Sequence, residues 1–171
     1  MLDRAKPMPP LDFLRGILSY NPETGKLTWT SKVSSKTIIG SEAGTLHKAS
    51  GRYQVQIQGK IYKSSRIAFY LYYGFEPVGA VDHINRDPSD DRISNLRDAS
   101  LNQNGMNKSM MSNNTSGYKG VSYSKRRNEY IAYVKINGKM MFGGWFKKKE
   151  EAAKVAASMR ESIHGEFCNH E

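Results

Sequence analysis

Four polar side chains between residues 81 and 107 have the types and the spacing for metal-assisted hydrolysis. Asp82 is followed directly by His83, Asn95 comes twelve positions after His83, and Asn104 comes nine positions after Asn95. Carboxylate and amide oxygens are hard ligands of the kind that Mg²⁺ prefers, and Mg²⁺ needs few ligands from the protein. Histidine side chains titrate near neutral pH, which suits a general base that activates water. The set therefore predicts a bound metal ion beside an activated water molecule.

The surrounding residues predict a strand, a loop, a second extended segment and a helix. In chain order these segments are 81–84, 85–91, 93–97 and 100–110, with Ser100 as the N-cap of the helix. Asp82 and His83 then lie on the first strand, Asn95 on or near the second, and Asn104 in the helix. Because adjacent strand residues point to opposite faces, Asp82 and His83 share one site only if the strand ends or bends there.

The segment resembles the HNH nuclease motif of the ββα-metal superfamily. The matching residues are Asp82-His83, Asp91-Arg92, Asn95-Leu96-Arg97, Asn104 and Asn107. The last position of the motif is often His, and Asn104 is the variant that phage and intron-encoded members also use. Residues 20–29 and 66–74 are similar to the segment that precedes the motif in such phage proteins.

This resemblance implies a homing-type DNA endonuclease, phage or intron encoded, with a single divalent metal, Mg²⁺ or Mn²⁺. Asp82 and Asn104 are the expected metal ligands. His83 and Asn95 are the expected catalytic residues, with His83 as general base and Asn95 fixing the orientation of the imidazole. One metal centre cuts one strand, so a nickase is expected, and a double-strand break would need a dimer or two sequential events.

Arg92 and Arg97 lie within the same motif and have two interpretations. Each guanidinium is a candidate for binding a DNA phosphate. A structural salt bridge with Asp90, Asp91 or Asp98 accounts for them equally well, so both interpretations stay open.

The overall charge predicts a polyanionic partner. The 171 residues contain 26 Lys and Arg against 16 Asp and Glu, a net charge of +10. Double-stranded DNA is the first candidate. An anionic membrane is disfavoured, because no apolar run approaches the ~18 residues of a spanning helix. The N-terminus lacks the apolar core of a signal peptide, and the single cysteine, Cys168, forms no internal disulfide. We expect a cytoplasmic protein, in the bacterial host cell if it is phage encoded.

A β-rich extension is predicted before the motif. Its elements are a helix over 11–18, a turn over 21–25, a strand over 26–30, an irregular stretch over 31–50, a hairpin over 52–62 and a helix over 66–73. Ser65 is the predicted N-cap of the second helix, and Gly74 is its predicted end.

A second domain is predicted after a polar linker at residues 111–116. Strands are expected at 118–124, 129–136 and 139–146, with Asn137-Gly138 as a hairpin turn, and a helix at 149–164. The apolar stripe of this helix predicts that it covers one face of a three-stranded antiparallel sheet. The other face of the sheet is left open.

This second domain resembles the plant APETALA/ethylene-response-factor DNA-binding domain. The residues that carry the resemblance are 118–121, 142–146, 150–153 and 164–167. Such domains lay the sheet into the DNA major groove, which implies contacts from Lys119, Ser122, Lys125, Arg126, Arg127, Tyr130, Ala132 and Lys135. Lys119, Ser122 and Lys135 stand where the plant pattern has Arg, which reduces bidentate readout of guanine. A basic solvated face is the alternative.

The sequence as a whole predicts an α+β protein. Residues 1–110 form a ββα-metal nuclease domain with a β-rich N-terminal extension, and residues 117–171 form a small three-stranded antiparallel sheet packed on one helix. Two other functions stay open: a non-catalytic DNA-binding regulator, and a structure-selective nuclease acting on RNA or branched DNA. The sequence leaves a monomer and a dimer equally open.

Overall fold

Small antiparallel sheets and short helices make up the protein, as the α+β prediction expects. The computed structural model describes residues 6–100, 103, 110, 112–136, 138–165 and 168. The chain divides into two compact units, Met1–Ala99 and Ser100–Glu171. Among the described residues, no helix has the length and apolar character needed to cross a membrane.

The described part of the N-terminal unit, residues 6–99, contains two helices and seven strands. In chain order they are α1 (Leu11–Ile17), β1 (Leu18–Tyr20), β2 (Leu27–Trp29), β3 (Thr45–His47), β4 (Arg52–Ile57), β5 (Lys60–Lys63), α2 (Ser64–Tyr73), β6 (Ala80–His83) and β7 (Leu96–Ala99). The sheets are β1-β2, β3-β4-β5 and β6-β7, all antiparallel. Strand β3 lies in the stretch predicted to be irregular.

One apolar core holds the N-terminal extension together. Leu14 and Ile17 of α1 pack with Leu27 of β2, Val55 of β4 and Ile67 of α2. Each such side chain contributes about 1.5–3 kcal/mol when it is fully removed from water. This core fixes the elements that surround the polar segment between β6 and β7.

Helix α2 ends as predicted but begins differently. Gly74 adopts a left-handed conformation with φ 79°, and its N–H bonds the carbonyl oxygen of Tyr70. The prediction of Ser65 as N-cap is wrong, because the helix starts at Ser64 after Lys63 without a side-chain cap. The Ser64 hydroxyl donates a hydrogen bond to the buried carboxylate of Asp91 in the candidate site.

The predicted second extended segment is also corrected. Residues Ile93–Asn95 form a 3-10 turn, and β7 begins only at Leu96. The turn is closed by the Asn95 N–H, which donates to the carbonyl oxygen of Arg92 at 2.9 Å. Asn95 therefore precedes the second strand.

A reciprocal cap supports a helix start at Ser100. The N–H of Gln103 donates to the Ser100 hydroxyl at 3.2 Å, and the N–H of Ser100 donates to the Gln103 side-chain oxygen at 2.8 Å. Asn104 and Asn107 lie outside the described residues.

The C-terminal unit has three strands and a helix, as predicted, except that the first strand begins at Val121 rather than at residue 118. They are β8 (Val121–Ser124), β9 (Glu129–Ile136), β10 (Lys139–Phe146) and α3 (Lys149–His164). The sheet is antiparallel with the order β10-β9-β8. Ala152 and Ala156 of α3 pack on Val121 and Ala132, which covers one face of the sheet.

The segment predicted as a linker contains an ordered turn. The Asn114 side-chain oxygen accepts the N–H groups of Ser116 and Gly117, both at 2.9 Å. The buried Ser116 hydroxyl lies 2.8 Å from the carbonyl oxygen of Val121. Residues 114–117 thus pack against the first strand of the sheet.

Candidate active site

The candidate site is built on the β6-β7 hairpin and the loop that joins its strands. Asp82 lies opposite Arg97 in the register, and His83 lies opposite Leu96. Strand β6 ends at His83, which meets the condition under which adjacent residues can serve one site. Asp82, His83, Asp91 and Asn95 are all buried, so this short segment concentrates polar groups in the interior.

The His83 imidazole is held from both of its nitrogens. Its Nε2 lies 2.9 Å from Oδ1 of Asp91, and its Nδ1 lies 3.3 Å from Nη1 of Arg52. Arginine has donors only, so Nδ1 acts as the acceptor and Nε2 carries the proton that is donated to Asp91. With 3 % of its surface exposed, the His83 ring is buried and held in one orientation by these two contacts.

The Asp91 carboxylate is itself anchored by the N-terminal extension and α2. Its Oδ2 accepts a hydrogen bond from the Ser64 hydroxyl, and its backbone carbonyl accepts one from the Tyr20 hydroxyl at 2.7 Å. Burial, and then the nearby Asp91 carboxylate, raise the pKa of Tyr20 well above its usual range. Asp91 is therefore a fixed acceptor for the imidazole.

The turn at residues 21–25 packs directly against the Asp91 backbone. The Ile93 N–H donates to the carbonyl oxygen of Pro22 at 3.1 Å. Gly25 has φ 74°, and a Cβ there would lie 2.6 Å from both the carbonyl carbon of Asp91 and the nitrogen of Arg92. Only glycine permits this approach, so the predicted turn is part of the support of the site.

Asn95 has a different role from the one predicted. Its side-chain oxygen accepts the N–H of Asn85 at 2.9 Å, and its Nδ2 donates to the carbonyl oxygen of Asp90 at 2.7 Å. The amide thus joins both sides of the loop. The group that orients the imidazole is the Asp91 carboxylate, because its oxygen lies at hydrogen-bond distance from Nε2 of His83.

Asp82 is the described residue best suited to hold a hard cation. Its Oδ2 accepts hydrogen bonds from Nε and Nη2 of Arg97 at 3.0 and 2.9 Å, which fixes the carboxylate. A carboxylate and an amide oxygen fit Mg²⁺, which keeps several waters. Among the described residues, no three acidic, His or Cys side chains cluster as a metal site, so any ion would depend on few protein ligands. Asn104, the other predicted ligand, lies outside those residues.

The two arginines of the motif both form ion pairs. Arg92 bonds the Asp90 carboxylate at 2.6 and 2.8 Å and lowers the pKa of Asp90 to about 2. Arg97 pairs with Asp82, which is a different partner from the three carboxylates that the sequence suggested. Asp98 instead accepts the N–H groups of Val78 and Gly79 at 2.7 and 2.9 Å. Arg92 and Arg97 thus both form salt bridges, as one of the two interpretations of these residues expects.

The open face of the C-terminal sheet combines aromatic and basic side chains. By the strand register, Ser122, Lys135, Phe142 and Trp145 share the face opposite α3. Phe142 is 56 % exposed, and its ring centre lies 5.8 Å from that of Trp145. The guanidinium of Arg127 stacks 4.6 Å from the centre of the Trp145 ring. Lys125 and Arg126 are exposed in the same β8-β9 turn.

Two of the predicted DNA contacts lie on the other face of the sheet. Ala132 is fully buried beneath α3, and Tyr130 packs against the same core. Both face the helix because alternate residues of β9 share one side. Tyr130 and Ala132 therefore lie away from the open face of the sheet. Lys119 precedes β8, where its carbonyl oxygen accepts a hydrogen bond from Arg160.

Comparison with known proteins assigns a family to the segment that contains the hairpin. Residues 62–106 match the HNH endonuclease family. Protein 3.8 of Escherichia phage T7 is 35 % identical over 90 residues, which cover 52 % of this chain and 72 % of the phage protein. The chain contains an HNH endonuclease family domain at residues 62–106. No solved structure matches it.

The HNH segment holds only part of the site. Asp82, His83, Asp91 and Asn95 lie within residues 62–106, whereas Arg52, which reaches the imidazole, lies outside them. Sequence reasoning placed Asp91 in the motif but missed its bond to His83, and it missed Arg52 altogether. The available signal was the acidic residue at a fixed distance after the histidine, and no comparable signal marks Arg52.

Proposed function

We propose that the protein is a metal-dependent DNA endonuclease of the homing type that hydrolyses phosphodiester bonds. The observation that carries the proposal is the buried His83–Asp91 pair, formed next to Asp82 within an HNH family segment. A buried histidine with one nitrogen fixed by a carboxylate has the arrangement of an oriented general base.

In this mechanism His83 takes a proton from the attacking water at Nδ1. Asp91 keeps the other proton on Nε2, so the lone pair of Nδ1 faces the reaction. When Nδ1 becomes protonated, the Asp91 carboxylate stabilises the resulting positive charge at 2.9 Å. Asn95 holds the loop that carries Asp91 by bonding the backbone at Asn85 and Asp90.

Asp82 and Asn104 are the proposed ligands of the divalent ion, Mg²⁺ or Mn²⁺. When bound, such an ion neutralises charge on the phosphate and stabilises the leaving oxygen. Arg97 holds the Asp82 carboxylate in one orientation through two hydrogen bonds to a single oxygen. The role of Asn104 rests on the motif spacing and the resemblance.

The C-terminal unit is proposed to bind double-stranded DNA. Its resemblance to the APETALA/ethylene-response-factor domain and the open sheet face support this role. From residue 105 onward the chain carries 12 Lys and Arg against 6 Asp and Glu, which favours a polyanion. Ser122, Lys125, Arg126, Arg127 and Lys135 are the proposed contacts, together with Lys119. Tethering to DNA would raise the local concentration of substrate at the hydrolytic site.

A plasmid-nicking assay tests the proposal. Supercoiled DNA is incubated with the wild type in Mg²⁺ or Mn²⁺, with the wild type in EDTA, and with His83→Ala in metal. The matched control is His47→Ala, because His47 is an exposed histidine whose ring contacts only Ser50 in the described structure. We expect open-circular product from the wild type and His47→Ala in metal alone, and none from His83→Ala.

Other outcomes point to the alternatives. DNA retained by all variants without cleavage of plasmid or of cognate genomic DNA in either metal would favour a DNA-binding regulator. Faster cleavage of RNA or branched DNA than of duplex would favour a structure-selective nuclease. Equal cleavage by His83→Ala and the wild type would remove His83 as the general base.

A further inference from the structure

We propose that Arg52 is a catalytic residue that binds the phosphate being cleaved. This inference rests on the proposed nuclease function and adds a group to its site. Arg52 lies at the start of β4, outside the HNH segment, and its Nη1 lies 3.3 Å from Nδ1 of His83. That nitrogen is the one that the proposed mechanism protonates.

The charge balance around Arg52 favours an anionic ligand. Arg66, Arg92 and Arg97 of the same unit each pair with a carboxylate. The described contacts of Arg52 contain no ion pair, and its guanidinium contacts a ring nitrogen of His83. A half-buried cation that has no carboxylate partner loses hydration without an opposite charge in return. A phosphate supplies that charge, and the guanidinium fork matches phosphate oxygens.

The fold places this arginine against the loop of the nuclease hairpin. The residue before it, Gly51, has φ 65°, and a Cβ there would lie 3.0 Å from Cγ of Pro88. In the strand register, Arg52 of β4 lies opposite His47 of β3, next to the turn that joins the two strands. The turn and the loop are thus in contact, which fixes the distance from the Arg52 backbone to His83.

The geometry requires an exchange of partners when DNA binds. An atom at hydrogen-bond distance from Nδ1 occupies the place of the attacking water, so Arg52 has to leave it. The new partner in this proposal is the phosphate under attack. In the reaction the water oxygen bonds phosphorus, the bond to the leaving oxygen breaks, and the water proton goes to Nδ1. Arg52 contributes hydrogen bonds and charge to the non-bridging oxygens and transfers no proton.

Single-turnover cleavage at saturating DNA tests the inference. We expect Arg52→Ala to cleave roughly 10²-fold more slowly than the wild type, the scale of losing one donor to a developing negative charge. Arg52→Lys should recover part of the rate, because it restores charge without the fork. The control is Arg15→Ala, an exposed arginine of α1 with no assigned role, which should cleave at the wild-type rate.

Guanidinium ion separates a chemical role from a structural one. Low millimolar guanidinium should accelerate Arg52→Ala and leave His83→Ala inactive, because the free ion can occupy the vacated phosphate site. Thermal unfolding of each variant verifies that it is folded. A wild-type rate in Arg52→Ala would overturn the inference, as would slow cleavage by a folded variant without rescue. Absence of cleavage by the wild type itself would overturn the proposed function and this inference together.

Discussion

The hydrogen bond from His83 to Asp91 determines which imidazole nitrogen can accept a proton. Nε2 is bonded to Oδ1 of Asp91, so the proposed mechanism takes the water proton at Nδ1. The same carboxylate accepts from Ser64 and is buried, which limits the ways in which it can move. Orientation of a ligand or base by such a neighbour is typically worth 10–100-fold in activity.

Asp91→Asn should lower the single-turnover cleavage rate by roughly 10–100-fold with little change in DNA affinity. The amide oxygen keeps the shape of the acceptor but loses the negative charge that stabilises protonated His83. Cleavage rate and DNA dissociation constant are measured on the same preparations.

The matched control is Asp98→Asn, since Asp98 is also a carboxylate that accepts two hydrogen bonds, but from backbone N–H groups. It should lower the melting temperature and spare the rate. Equal rates for Asp91→Asn and the wild type would contradict a positioning role for Asp91.

Residue types and spacing predicted part of the candidate site. Contacts between residues far apart in the sequence could not be predicted in this way. Asp82 and His83 were found because they are adjacent and belong to a spaced set. Arg52 was missed because 31 positions separate it from His83, so only the packing of the hairpins brings them together. The partners of Asn95 were not predicted, because an amide can bond several groups and here the loop backbone satisfies both of its atoms.

At the scale of elements, the turn at residues 21–25 supports the loop that carries Asp91. Its close approach depends on Gly25, where both the left-handed backbone and the lack of Cβ are needed. A side chain there would push against the backbone of Asp91 and Arg92, and any shift would be transmitted to the imidazole.

Gly25→Ala should lower the free energy of unfolding by more than the ~1 kcal/mol cost of a left-handed alanine, and it should slow cleavage as well. Denaturant unfolding and nicking are the two measurements. Gly40→Ala provides the control, because Gly40 has φ 84° but open space around it. Gly40→Ala should therefore lose only the free energy that a left-handed alanine backbone costs. If both variants lose equal stability and both cleave normally, the turn does not support the site.

The accuracy of the element predictions follows from the strength of their local signals. The bounds of β9, β10 and α3 agree with the sequence, because Asn137-Gly138 fixes the hairpin and the helix has a clear apolar stripe. Strand β3 was missed because Thr45–His47 is three residues long and exposed throughout, without alternation. The 3-10 turn at Ile93–Asn95 was predicted as extended because its three residues form too short a window for a helical period.

At the scale of the whole molecule, positive charge is spread over both units. The net charge of +10 favours nonspecific attraction to nucleic acid. A specific DNA interface needs basic side chains grouped on one surface. Arg126 and Arg127 are exposed together in the β8-β9 turn, at the edge of the aromatic sheet face.

Changing both Arg126 and Arg127 to Ala should weaken DNA binding and flatten its salt dependence. Removing one phosphate-neutralising side chain makes the slope of log affinity against log salt shallower by about 0.9. The control removes the same charge elsewhere, by changing the exposed Lys32 and Lys36 to Ala. Binding is measured from low to moderate salt. An equal slope in the double-arginine variant and the wild type would remove this turn from the interface.

The contacts between the N-terminal turn and the Asp91 loop limit where recombination can join such genes without loss of function. Tyr20 and Pro22 bond a loop that lies about 70 residues later in the chain. A recombination crossover between residues 25 and 62 would separate these contacts while leaving the HNH segment whole. The HNH segment therefore does not carry a complete site when it is transferred alone. A chimaera inheriting only residues 62–106 would carry every motif residue, yet its histidine would be without Arg52, and Asp91 would be without its backbone anchors.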